Sequence, residues 1–284
     1  MTKRKSQKSF VEKYELKAGA IIVALSALLS LGWWQLLAAD ALFNYPWVQK
    51  AIPWLILAFA VYVLQFSNFP RKTQSNILRA LTHTTALTVA FLLFWDWFNW
   101  LHLDISWYQK RTFFTGQAGI VFLILTLACS PLITLFGWSA LNALKKPLGN
   151  YSFFFIVIHL FLFTIDYSDF GQNILAAFQE AILKKYALVG LSAFLLLIPL
   201  AATSNKWSQK KLGKKWKKLH RLVYLIAVLA SVHYIWVHFS KLALAKPITF
   251  AIVIAFLLFL RVTAIKTAIR NFKRKRRRTQ RAAA

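Results

Sequence analysis

Apolar residues run along this chain in long, continuous stretches separated by short polar or basic segments. The stretches lie near 18–38, 51–69, 80–100, 117–136, 149–166, 186–203, 219–239 and 247–264. Each approaches the roughly 20 residues that a helix needs to cross a bilayer core. None shows the in–out alternation of a membrane β-strand. The pattern predicts an all-α polytopic membrane helix bundle of about eight transmembrane helices. The polar break PRKTQSN, beginning at Pro70, divides it. A basic N-terminal lead with two extra helices (1–77) precedes a six-helix bundle (78–264), and a basic tail (265–284) follows. The first run has no evident small-residue cleavage site and is expected to stay as a helix. The segment NILAAFQEAILKK, in the loop from Asp166 to Lys185, is expected to lie as an amphipathic interfacial helix. No internal repeat is detectable.

Composition agrees with this reading. The chain is 58% hydrophobic and only 15% charged, with a mean hydropathy of +0.52, whereas soluble domains carry about 25% charged residues. The net charge of +28 would suit nucleic acid, but its placement argues otherwise. If both termini lie inside, segments 1–17, 70–79, 137–148, 204–218 with Arg221, and 261–284 hold 29 of the 36 lysines and arginines. Six of the eight acids fall on the other side. This positive-inside pattern implies a multi-pass membrane protein with both termini cytoplasmic. Its electrostatic partner is then anionic lipid, not nucleic acid. The inner loop TSNKWSQKKLGKKWKK sets two tryptophans among seven lysines. It reads either as an interfacial anchor or as a docking surface for an acidic donor or a flavin phosphate.

Three histidines then change the picture, because an imidazole in hydrocarbon is costly unless something satisfies it. His159 sits in FFFIVIHLFLF, His233 in AVLASVHYIWV, and His220 opens the same run as His233 in KKLHRLVY. A haem iron satisfies such side chains, and it needs axial ligands at fixed depths. The helices of His159 and His233 both start inside, after Lys145–Lys146 and Lys217–Lys218, and so run parallel. His159 lies 14 residues past Lys145 and His233 lies 13 past His220. The two therefore sit level in the outer half, where they can clamp one haem. Level with His220 stand only Lys145 and Lys146, so an inner haem would lack a bis-histidine clamp. Thirteen residues also turn His220 about 140° away from His233 on an ideal helix. Both can serve one haem stack only if that helix is distorted. Arg221 and Lys218 are candidate partners for inner haem carboxylates. His83 is a weaker inner candidate. His102 and His238 read as interfacial.

The single cysteine, Cys129, reads as packing, and with one cysteine there is no intrachain disulfide. Met1 is the only methionine, so a six-coordinate haem would be bis-histidine. Dinucleotide, P-loop, zincin and nucleophile-elbow patterns do not occur. Electrons would have to come from another protein or a bound small carrier.

From about residue 80 to 264 the chain resembles the ferric-reductase-like transmembrane family. Within it, the chain is similar to the haem-binding membrane subunits of bacterial protein-methionine-sulfoxide reductase systems, the MsrQ-like group. The segments that carry the resemblance are TGQAGIVFLILTLACSPL, LNALKKPLGNYSFFFIVIHLF and the run VGLSAFLLLIPLAATSNKWSQKKLGKKWKKLHRLVYLIAVLASVHYIW. Lysines stand before Leu148–Gly149 where the family usually has arginines. The resemblance implies haem ligands at His159, His220 and His233. It implies one b-type haem, a second as an option, and flavin mononucleotide (FMN) as a further option. It also implies electron passage from a cytoplasmic flavin reductase or quinol to a periplasmic molybdopterin methionine-sulfoxide reductase. On that reading the chain is an electron-transfer subunit rather than a self-contained enzyme. The alternatives are a ferric or quinone-linked reductase acting on a small acceptor, and a haem-free membrane scaffold or transporter.

Overall fold

The computed structural model describes residues 70–97, 108–167, 182–239 and 243–265, with positions 175, 179, 267–269, 271, 272 and 274. The runs expected near 18–38 and 51–69, His102, most of the expected interfacial helix and the end of the basic tail lie outside the described residues. The described residues are helical and contain no strand. The chain divides into two compact units, Met1–Ser106 and Trp107–Ala284. In the first unit, α1 (Arg71–Trp97) forms where the third apolar run was expected. It buries Leu78, Leu81, Val89 and Leu93 and exposes His83.

The second unit holds α2 (Tyr108–Phe136), α3 (Lys145–Tyr167), α4 (Lys185–Ala202), α5 (Lys206–Leu212), α6 (Lys214–Leu219), α7 (Leu222–Phe239) and α8 (Ala245–Phe259). Gly137, at φ +78°, ends α2 in a left-handed turn that favours glycine. A short 3₁₀ turn, Ser139–Ala143, then leads into α3. Among the described residues four stretches are long and apolar enough to cross a membrane: Arg111–Phe136, Lys145–Ile165, Lys185–Ala202 and Lys214–Phe239. A fifth is added if Ala245–Phe259 and Thr263–Ile269, bent by 62°, count as one span.

The packing shows an interior made for lipid surroundings. Ile120, Leu123 and Leu127 of α2 meet Ala193 and Leu197 of α4, Ile226, Ala227 and Tyr234 of α7, and Ile254 and Leu257 of α8. The opposite helix faces are equally apolar but exposed: Phe154, Val157 and Phe161 on α3, Leu225, Val228, Val232 and Trp236 on α7, and Ile252, Phe256 and Phe259 on α8. These recur at three- or four-residue spacing and so form stripes along each helix. Helices apolar on every side belong in a bilayer, where close packing rather than water exclusion drives association.

Two features fix the helix crossings. Where α2 meets α3, a Cβ on Gly119 would collide with the Ile156 side chain, and Ser152 Oγ donates to the Gly119 carbonyl at 2.8 Å. The missing Cβ at Gly119 gives the Ile156 side chain its room. Farther along α2, Pro131 has no N–H to give the Leu127 carbonyl. Arg261, just beyond α8, donates to that carbonyl instead through Nη2 at 2.6 Å, and through Nη1 to the Tyr224 hydroxyl at 3.0 Å. One guanidinium thus ties α2, α7 and the end of α8 together. Gly119→Val is expected to overpack the α2–α3 crossing and cost about 1–3 kcal/mol. It should appear as a lower unfolding midpoint in detergent, and an unchanged midpoint would refute the crossing.

Candidate functional site

A cavity of about 700 Å³ opens between α2, α3, α4 and α7. Its walls are mainly apolar, including Ile120, Leu123, Ile156, Phe163, Phe194 and Leu197, with His159 and His233 facing in from α3 and α7. The imidazole centres are 6.2 Å apart and their planes cross at 79°. Helix α2 meets α3 at Gly119–Ser152 and Thr112–His159, and meets α7 at Gln117–Tyr234 and, through Arg261, at Leu127–Tyr224, so it runs antiparallel to both. The two histidine helices are therefore parallel, and their histidines sit level.

Both histidines are held by the same device. His159 Nδ1 donates to the carbonyl of Thr112 on α2 at 2.7 Å, and His233 Nδ1 donates to the carbonyl of Tyr186 on α4 at 2.8 Å. One turn along each accepting helix stands a glycine, Gly116 or Gly190. A Cβ on Gly116 would lie 3.0 Å from His159 Nδ1, and one on Gly190 would lie 2.7 Å from His233 Nδ1. The missing Cβ is what lets each ring reach a carbonyl in the neighbouring helix. The acceptor is a carbonyl, so Nδ1 must carry the proton. That leaves each Nε2 as a bare lone pair, with no hydrogen-bond partner among the described residues. The set Thr112, Gly116 and His159 recurs 74 residues on as Tyr186, Gly190 and His233. The bundle thus contains a geometric repeat that the sequence does not reveal.

Two imidazoles with unpartnered Nε2 atoms, lining one apolar space, suit a metal that brings its other ligands with it. Among the described residues no three His, Cys, Asp or Glu side chains gather as a metal set. A metal–imidazole bond of about 2 Å, with the ring centre about 1 Å behind its nitrogen, would put two axial imidazole centres about 6 Å apart. The observed separation is 6.2 Å. The residues present therefore fit a haem iron between His159 and His233.

The other residues singled out in the sequence lie elsewhere. The helix expected over 219–239 breaks at His220–Arg221, between α6 and α7. His220 stacks on Trp216 with ring centres 4.0 Å apart, and its Nε2 is 3.0 Å from Thr203 Oγ1 at the end of α4. The break brings His220 and His233 onto one neighbour, α4, despite their 13-residue spacing, but His220 does not line the cavity. Lys145 donates to Asn142 Oδ1 at 2.9 Å. Lys146 and Arg221 are exposed, and none of these three lines the cavity. His238, expected at the interface, does line it, edge-on to Phe113 and Tyr234. Gln117 and Tyr234 also face the cavity and are bonded at 2.8 Å. Sequence reasoning passed them over, although a glutamine and a lysine (Lys246) at the ends of apolar runs were a signal.

The family model described as ferric reductase like transmembrane component matches residues 115–231. Three relatives each bear the name protein-methionine-sulfoxide reductase heme-binding subunit MsrQ. The one from Herminiimonas arsenicoxydans is 40% identical over 151 residues, 52% of this chain and 67% of its own length. That from Bordetella pertussis is 37% identical over 150 residues, 53% and 72% of the two chains. That from Xanthomonas euvesicatoria pv. vesicatoria is 34% identical over 215 residues, 72% of this chain and 95% of its own. No solved structure matches the chain.

The two glycines generate a graded prediction. Gly190→Ala should weaken haem binding about 10- to 100-fold, as loss of an outer-sphere support does. Gly116→Ala, whose added Cβ meets its ring less closely, should weaken it less. Titration of each variant followed by visible absorption checks the order.

Proposed function

Because the chain belongs to the MsrQ family of haem-binding membrane subunits, we propose that it is the membrane haem-binding subunit of a methionine-sulfoxide reductase system, holding b-type haem between His159 and His233. The observation that carries the reading is the level pair of histidines lining one apolar cavity, each with Nδ1–H spent on a helix carbonyl and Nε2 without a hydrogen-bond partner among the described residues. Haem bound there would supply a one-electron redox centre within the membrane.

The chain's own residues do the rest. The Thr112 and Tyr186 carbonyls fix both tautomers and raise the basicity of the coordinating nitrogens. Helices α3 and α7 hold the two rings apart at a set distance. Phe163, Phe194 and the aliphatic walls exclude water, which helps set the potential. The chain would pass electrons across the bacterial inner membrane, with its termini in the cytoplasm, to a periplasmic molybdopterin enzyme that reduces oxidised methionine. A cytoplasmic flavin reductase, with FMN as carrier, or a quinol would be the donor. The lysine-rich pair α5–α6 supports a donor of acidic surface at that end. Asn205 caps α5 through Ser208 N at 2.7 Å, and all seven lysines of 206–218 are exposed. His220 remains the proposed ligand of a second haem near α5–α6, with Lys145, Lys146 or no protein group opposite it and Arg221 and Lys218 toward its carboxylates.

The test is the absorption spectrum of the purified chain and of single variants. The wild-type protein should show a Soret band and six-coordinate haem, and His159→Ala and His233→Ala should each lose six-coordination. No Soret band and no haem recovered on reconstitution would sink the reading. Full six-coordinate haem in both variants would sink the pairing. His220→Ala should leave this pair's spectrum intact, and loss of part of the haem in that variant would support the second site.

A further inference from the structure

The cavity wall carries one polar cluster besides the histidine pair. Ser152 and Thr164 also line the cavity, but their hydroxyls are spent on the carbonyls of Gly119 and Leu160. At the end of the cavity where α7 stops and α8 begins, the bonding runs differently. Lys246 Nζ donates to Gln117 Oε1 at 2.9 Å, and Gln117 Nε2 donates to the Tyr234 hydroxyl at 2.8 Å. An ammonium can only donate, so Lys246 fixes which way the amide faces. The amide nitrogen then faces the phenol, and the phenol oxygen must accept. Tyr234 is left with its own proton to give, and no described residue accepts it. Its side chain is 9% exposed and lines the cavity. A buried donor without an acceptor is costly, so a ligand group that accepts this proton would gain here.

The charge and the depth say which group. The chain of bonds begins at an ammonium, so an anion gains more here than a neutral carbonyl would. Tyr234 directly follows the axial candidate His233, and His238, on the same wall, lies five residues on, about 7.5 Å farther along α7. A macrocycle held between His159 and His233 would have part of its rim within reach of the stretch of α7 beyond His233, where this cluster lines the cavity. We infer that Tyr234, with Lys246 acting through Gln117 and with His238 beside it, seats the carboxylates of the haem. The inference rests on the haem reading above. It orients the carboxylate edge toward the α7–α8 end of the cavity, away from Lys218 and Arg221. Tyr234 is then a binding residue, and Gln117 and Lys246 are positioning residues.

The test compares haem with haem whose two carboxylates are esterified, titrated into the purified full-length chain and followed by the Soret band. Wild type should prefer free haem over the diester by about tenfold or more, the worth of a charge-assisted hydrogen bond. Tyr234→Phe and Lys246→Gln should bring that preference close to parity while leaving diester affinity near the wild-type value. Equal wild-type affinity for the two ligands overturns the inference and leaves the haem reading standing. An equal loss of both ligands in the variants also overturns it, since that marks a structural role. Binding of neither ligand by wild type overturns the haem reading and this inference with it.

Discussion

The site depends on a hydrogen bond between an imidazole and the backbone of a neighbouring helix. A helix carbonyl already accepts one bond from within its own helix and has a second lone pair to offer. An imidazole can reach that lone pair only if nothing projects from the helix one turn on. Gly116 and Gly190 provide that opening, and the bonds to Thr112 and Tyr186 close to 2.7 and 2.8 Å. Two consequences follow together: the proton is held at Nδ1, and Nε2 is left without a hydrogen-bond partner among the described residues. In an apolar interior a mobile or doubly unsatisfied imidazole would be far more costly.

The same economy governs the rest of the bundle. A polar group here must find its partner inside the protein, because the outer helix faces are stripes of Phe, Leu, Val and Ile meant for lipid. The carbonyl that Pro131 leaves open is answered by Arg261. Threonine and serine hydroxyls answer carbonyls three or four residues back along their own helices, as Thr126 does at Phe122. Thr85 Oγ1 and Arg261 Nε are buried without a hydrogen-bond partner at separate places, whereas the leftover proton of Tyr234 and the two leftover Nε2 lone pairs fall together. All three belong to side chains that line one cavity.

Much of the site was legible in order of residues alone. An uninterrupted apolar run of about 20 residues has few options other than a membrane helix, and the positive-inside bias orders those helices. Depth counted from Lys145 and His220 already put His159 and His233 level. The split between His220 and His233 was legible too, because 13 residues do not complete a whole number of turns. The break at His220–Arg221 was not, since no proline or glycine marks it. The repeated carbonyl–glycine–histidine device was also hidden. It rests on two glycines, two histidines and two backbone atoms, and the accepting residues, Thr112 and Tyr186, have no side-chain feature in common.

By itself the sequence determined the all-helical membrane class and put two histidines at one depth, because these follow from helix rise and from the thickness of hydrocarbon. Only the tertiary structure decided which neighbour each polar side chain meets. It turned His220 to Thr203, drew His238 to the cavity wall, and joined Gln117 to Tyr234 and Lys246 across three helices. The physical reason is that depth along a helix is a matter of counting residues. Azimuth is not: it is set by how the helices cross, and at Gly116, Gly119 and Gly190 a missing Cβ leaves room for the side chains of His159, Ile156 and His233.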